Sequence, residues 1–126
     1  MTRSGPYPEP VDERLLWEGR TLRQWLPVAV EDVVRAAAPR RIVLFGSVAR
    51  GDEGPDSDLD LLVVVDQIDL ADRTRLISSI RRAINARVPI DVFVTDLIEY
   101  ERRKDVIGSM AYWPAREGEV VYERAS

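Results

Sequence analysis

Seven consecutive residues, Leu59-Asp60-Leu61-Leu62-Val63-Val64-Val65, are apolar at every position but one. Alternate side chains of a strand face opposite sides of its sheet, so beyond Asp60 this run is apolar on both faces. Such a strand belongs in the middle of a sheet that is covered above and below. A shorter buried run, Ile42 to Phe45, precedes it and ends at Gly46-Ser47. Between the two, residues 51–57 (GDEGPDS) are dense in turn formers and read as loop.

The remaining segments supply the cover. Pro27 fits a first helical position, Val30, Val33, Val34 and Ala37 follow helical spacing, and Pro39 stops the run. A second amphipathic helix is expected from Leu70 to Arg87, with Leu76, Ile77, Ile80 and Ile84 inward and Arg73, Arg75, Arg81 and Arg82 outward. Val88 to Val94 reads as a third strand, with Pro89 near its start, where a missing donor is best tolerated. Thr95 or Asp96 then caps a charged helix running to Lys104, and Asp96 and Glu99 have capping-box spacing. Turn signals at Gly108, Pro114 and Gly118 lead to a last strand, Val120 to Tyr122. Residues 1–10 read as an extended lead, and Val11 to Leu26 as helical with an interruption at Gly19. The expected fold class is α/β (α+β), one domain with a small mixed β-sheet and helices packed on it.

Composition narrows the chemistry. The 126 residues include no cysteine and no histidine. That removes disulfides, thiolate nucleophiles, zinc–thiolate and histidine metal sites, and every Ser–His or Cys–His arrangement. Catalysis has to run on carboxylates, hydroxyls, arginines, backbone amides or a metal held by oxygen. The formal net charge of −4 is unlike the basic footprint of a nucleic-acid binder, so no direct nucleic-acid binding is expected. No apolar run approaches the roughly 20 residues that a membrane span needs. Met1 to Pro10 carries three prolines and no apolar signal-peptide core, which points to the cytoplasm.

Three features carry chemistry. A glycine at the end of a strand, as at Gly46-Ser47, lets backbone approach a ligand, and the helical turn that follows presents unpaired amides to an anion. Ser47 adds a hydroxyl and Arg50, one turn on, a guanidinium. The plainer reading is a tight strand-to-helix turn with a capping serine. Asp58 and Asp60, one residue apart at a strand start, share a face with Cα atoms roughly 6.5 Å apart. Carboxylates that close repel unless a cation lies between them, and all-oxygen ligation suits magnesium or manganese. The plainer reading is a solvated strand end. Asp91 lies inside an apolar run, where a buried carboxylate needs a partner such as a metal on the next strand. Its plainer reading is a strand-edge aspartate facing water. Taken together, the three describe one site for two-metal transfer of a phosphoryl-type group.

The pattern Gly46-Ser47-x-Ala49-Arg50-Gly51, five loop residues, then Ser57-Asp58-x-Asp60-Leu61 resembles the signature of the DNA polymerase β-like nucleotidyltransferases, specifically their minimal nucleotidyltransferase (MNT) branch. Asp91 in Ile90-Asp91-Val92-Phe93-Val94 matches the third acidic position, and Arg116-Glu117-Gly118 through Val121-Tyr122-Glu123 is similar to that branch's tail. The resemblance divides the chain into an N-terminal extension, residues 1–26, and a minimal nucleotidyltransferase domain, residues 27–126. It implies transfer of AMP from ATP to an acceptor hydroxyl with release of pyrophosphate. Gly46 and Ser47 would hold the triphosphate, Asp58 and Asp60 the metals, and Asp91 the second of two Mg2+ ions beside the attacking hydroxyl. Arg50 would either touch phosphate or steady the loop by pairing with Asp56 or Asp52.

Only 35 residues follow Asp91, too few for the additional helical domain of related antibiotic-modifying enzymes. The expectation is therefore that another chain supplies the acceptor. In the MNT branch that chain is often a helical HEPN protein, a ribonuclease toxin for which the MNT protein is the antitoxin. Trp17, Trp25 and Leu26 are candidate docking residues, unless they pack on the chain's own sheet. Two other functions stay open: a small-molecule nucleotidyltransferase acting as a homodimer, and an antitoxin that only binds.

Overall fold

The computed structural model describes residues 9–11, 14–86 and 88–125. A short antiparallel pair, β1 (Glu9–Val11) and β2 (Arg14–Leu16), opens the chain. The turn after it closes with Trp17 and Arg20 exchanging backbone hydrogen bonds of 2.6 and 3.1 Å. Its central residues, Glu18 and Gly19, have φ of 48° and 83°, the backbone pattern of a type I′ turn. Here the structure departs from the helix expected over Val11 to Leu26. The extended lead read over residues 1–10 lies outside the described residues except for its last two.

Helix α1 runs Leu22–Ala37, five residues longer at its start than the Pro27 signal implied. Thr21 caps it: its hydroxyl accepts from the Gln24 amide, and the Gln24 side chain accepts in return from the Thr21 amide. Pro27 thus sits inside the helix and forgoes one backbone hydrogen bond. Burial of Leu22, Trp25 and Leu26 on the sheet favours the longer helix all the same. Trp17, Trp25 and Leu26 are 3%, 9% and 6% exposed, so they belong to the chain's own core and offer no docking surface. Trp25 Nε1 donates to the Trp17 carbonyl at 2.7 Å, and the Arg20 guanidinium lies 4.5 Å above the Trp25 ring.

Then follow β3 (Arg41–Phe45), a five-residue helix α2 (Gly46–Arg50), β4 (Leu59–Val65), α3 (Leu70–Ala83), β5 (Ile90–Asp96) and α4 (Leu97–Arg103). Asp96 is the cap of α4, accepting from the Glu99 amide at 2.9 Å. A helix that the turn signals had hidden, α5 (Tyr112–Glu117), precedes β6 (Glu119–Glu123). Pro114 is the third residue of α5, where a helix has no internal acceptor for an amide.

The four-stranded sheet has the order β5-β4-β3-β6. β3 is antiparallel to both neighbours, and β4 and β5 are parallel, joined through α3, so the sheet is mixed as expected. β4 is central. Its odd-numbered residues Leu59, Leu61, Val63 and Val65 pack with Ile42, Leu44, Val92 and Val94 in the larger core, together with residues of α1 and α3. Leu62 and Val64 face the other way, against Val43, Tyr100 and Ala111. Full burial of each such side chain contributes about 1.5–3 kcal/mol. Asp32 of α1 is buried and accepts from the Asn85 amide at 2.7 Å and from Arg35 at 2.5 Å, tying α1 to the chain just beyond α3.

Candidate active site

Alternation along β4 puts Asp60 on the face of Leu62 and Val64, at the strand's first turn of the pleat. The register then does the assembly. Asp60 stands opposite Asp91 on parallel β5 and opposite Phe45, the last residue of β3. The loop before β4 is drawn in by reciprocal bonds between Gly54 and Ser57, with the Gly54 amide donating to Ser57 Oγ at 2.8 Å. The Leu59 amide donates to the Pro89 carbonyl at 3.0 Å, which holds the segment carrying Asp58 beside the start of β5.

One carboxylate oxygen from each of Asp58, Asp60 and Asp91 consequently lies within 4.8 Å of the others. Asp58 and Asp60 are half-buried. Asp91 is exposed, because β5 is an edge strand, so the burial argument for its needing a partner does not apply. Proximity argues for the cluster instead. Burial pushes the Asp60 carboxyl up to about 6, with the charges of Asp91 and Asp58 adding to the rise and Arg50 opposing it. Burial also raises Asp58, followed by its hydrogen bond to and charge repulsion from Asp91. Two carboxyls that resist ionising, with a third beside them and oxygen as the sole donor type, are a fitting cradle for a hard divalent cation.

Gly46 opens α2 immediately beside this cluster. Its φ is +78°, and a Cβ there would overlap Oδ2 of Asp60 and stand 3.1 Å from its Cγ. The glycine therefore makes room for a carboxylate of the triad, as well as allowing a ligand to approach. The N-terminus of α2 has no side-chain cap, so the amides of its first turn, Ser47 included, are without the usual partner. The Ser47 carbonyl accepts from the amides of Gly51 and Asp52 at 2.9 and 3.0 Å. Arg50 pairs with Asp52 at 3.3 Å, one of the two partners expected from the sequence. Its other partner is Glu117 of α5 at 3.1 Å rather than Asp56. A cleft of about 450 Å³ lined by Phe45, Gly46, Arg50, Trp113 and Glu117 adjoins the turn. Sequence reasoning missed Phe45 and Trp113, since aromatic residues in a sheet-and-helix fold read first as core.

The chain matches the model of one protein family, the nucleotidyltransferase domain, over residues 27–112. The chain belongs to this family. No curated protein matches it. Among solved structures, this nucleotidyltransferase domain is similar to a proposed nucleotidyltransferase from Sulfolobus solfataricus. That likeness has 23% identity and a TM-score of 0.53, and covers 82% of this chain and 81% of the other. A toxin–antitoxin structure with AMP-PNP shares 20% identity over 76% of this chain and 72% of its own, with a TM-score of 0.45. A mutant of the toxin–antitoxin MntA-HpeT shares 22% identity over 75% and 70%, with a TM-score of 0.47. The Sulfolobus likeness establishes the nucleotidyltransferase fold, a mixed sheet with helices. Among the described residues of this domain, no helix is long and apolar enough to cross a membrane.

Proposed function

We propose that this protein transfers AMP from Mg-ATP to a hydroxyl of a partner protein. The observation that carries the reading is the convergence of the Asp58, Asp60 and Asp91 carboxylates beside the uncapped first turn of α2. Asp58 and Asp60 would hold Mg2+ shared with the triphosphate, and Asp91 would join them in holding a second ion. Ions held there would supply positive charge to offset the phosphates and would favour loss of the acceptor hydroxyl's proton to solvent. The chain's own residues do the rest. The Gly46 and Ser47 amides and the Ser47 hydroxyl grip phosphate oxygens, and Arg50 lies one helical turn further along. The α-phosphorus is thereby held in line between the acceptor oxygen and departing pyrophosphate.

Asp91 lies on the exposed edge of the sheet, so the acceptor side of the site opens to solvent. An opening of this kind suits an acceptor carried by a macromolecule. By the sequence resemblance to the MNT branch, that macromolecule would be a helical HEPN-type protein and this chain its antitoxin, acting in the cytoplasm. The test is incubation of the purified protein and its co-purifying partner with ATP labelled at the α-phosphate, with and without Mg2+. Label on the partner, absent with Asp60→Asn, is the expected result. Label on a small molecule, or on nothing, would overturn the protein-acceptor reading.

A further inference from the structure

The cleft beside the phosphate turn has a feature that metal and phosphate binding do not use. Trp113 is 55% exposed, whereas Trp17 and Trp25 are buried in the core. It stands in the first turn of α5, and its ring meets that of Tyr112 at 5.1 Å and 87°. Tyr112 is itself covered by the Arg116 guanidinium at 4.0 Å. The indole is thus braced by Tyr112 while just over half of its surface meets water, an apolar area that a stacked ring would cover favourably. Gly46 lines the cleft and packs on Asp60, which places the cleft beside the carboxylate cluster. Its volume of about 450 Å³ falls within the roughly 300–1,000 Å³ of small-ligand sites.

The order of elements says which ligand enters it. Across the sheet run Asp91 on β5, Asp60 on β4 and the Gly46 turn at the end of β3, and α5 packs against β3 and α2. An acceptor entering at Asp91 leaves the β3 side to the donor nucleotide. We propose that Trp113 is the stacking platform for the base of the donor nucleotide, with Phe45 as the adjoining apolar wall. This rests on the nucleotidyl-transfer reading above. The polar members of the cleft, Arg50 and Glu117, are paired with each other at 3.1 Å. Recognition is therefore by ring overlap, which tolerates different bases and favours the larger purines.

Trp113 is the exposed one of three tryptophans, so its fluorescence reports the cleft directly. Mg-ATP should quench it and shield it from acrylamide, whereas magnesium tripolyphosphate, which has no base, should bind without shielding. By calorimetry, Trp113→Ala should weaken Mg-ATP binding roughly 5- to 150-fold, leave tripolyphosphate binding unchanged, and be largely rescued by Trp113→Phe. Mg-ATP affinity that ignores Trp113→Ala, or shielding by tripolyphosphate alone, overturns the stacking assignment and leaves the transfer reading standing. Failure of both ligands to bind the unaltered protein overturns the transfer reading and the stacking assignment together.

Discussion

Gly46 and Asp60 occupy one another's space: the hydrogen on the Gly46 Cα points where any larger substituent would overlap the Asp60 carboxylate. Phe45, the residue before the glycine, is the cross-strand partner of Asp60, so sheet register brings the Gly46-Ser47 turn against the metal-ligand candidate. The two halves of the proposed site are therefore one mechanical unit. Gly46→Ala should disturb both. The left-handed φ of +78° alone costs a non-glycine residue about 1 kcal/mol or more. The larger effect should be displacement of Asp60, read in calorimetry as loss of Mg-dependent ATP binding by at least about tenfold. Unchanged affinity would mean that the Asp60 carboxylate moves aside without consequence.

Asp60 also predicts a pH dependence. Its folded-state pKa of about 6 lies above the ordinary 3.8, so the folded protein holds this proton more tightly than the unfolded chain. The contribution to stability is complete below the unfolded value and is lost as pH rises through the folded one. In metal-free protein, the melting temperature of wild type relative to Asp60→Asn should fall between about pH 4 and pH 7. Added Mg2+ should reverse the trend, because the ion competes with the proton and binds better above pH 6. A wild-type minus mutant difference that is flat with pH would contradict the assignment.

Asp91 should separate holding from transferring. It is exposed on the edge strand, and under the proposed function it would face the acceptor while Asp58, Asp60 and the Gly46-Ser47 turn would hold the nucleotide. Asp91→Asn should keep Mg-ATP affinity within a few-fold and lower single-turnover transfer by about 100-fold or more, the mark of an interaction made in the transition state. Equal losses in affinity and rate would place Asp91 in ground-state nucleotide binding.

Asp32 offers a stability test remote from the site. It is 4% exposed and accepts from the Asn85 amide, so Asp32→Ala leaves a donor without its acceptor where α1 meets the end of α3. The expected cost is about 1–3 kcal/mol in denaturant unfolding, with Mg-ATP affinity unchanged. A neutral effect would show that solvent readily replaces the carboxylate.

The sequence revealed the parts of this fold whose signal is local and strong. Leu59 to Val65 has no helical or half-exposed alternative, and its strand bounds match the structure. The sequence narrows the cap of α4 to Thr95 or Asp96, and the structure selects Asp96. At the start of α1 the sequence points to Pro27 as a first helical residue, whereas the structure starts the helix at Leu22, behind a Thr21–Gln24 capping box and with Trp25 buried. α5 was hidden because Pro114 reads as a breaker, although in a first turn it sacrifices nothing. The strands of the N-terminal hairpin have three residues each, too few for any periodicity. At the site, residue types and spacing indicated the three aspartates. The Gly46–Asp60 contact, the Arg50–Glu117 pair and the Trp113 cleft depend on cross-strand register and helix docking between distant segments, which no local pattern encodes.

The proposed function requires that Asp58 and Asp60 jointly hold a divalent ion on which nucleotide binding depends. The most direct measurement is a calorimetric titration of ATP into wild type, Asp58→Asn and Asp60→Asn, each with Mg2+ and with chelator. Mg-dependent binding is expected in the wild type and should be lost in both variants, while both stay folded and melt no lower than wild type without metal. Equal ATP affinity in all three proteins, or binding in the wild type that ignores the chelator, would contradict it.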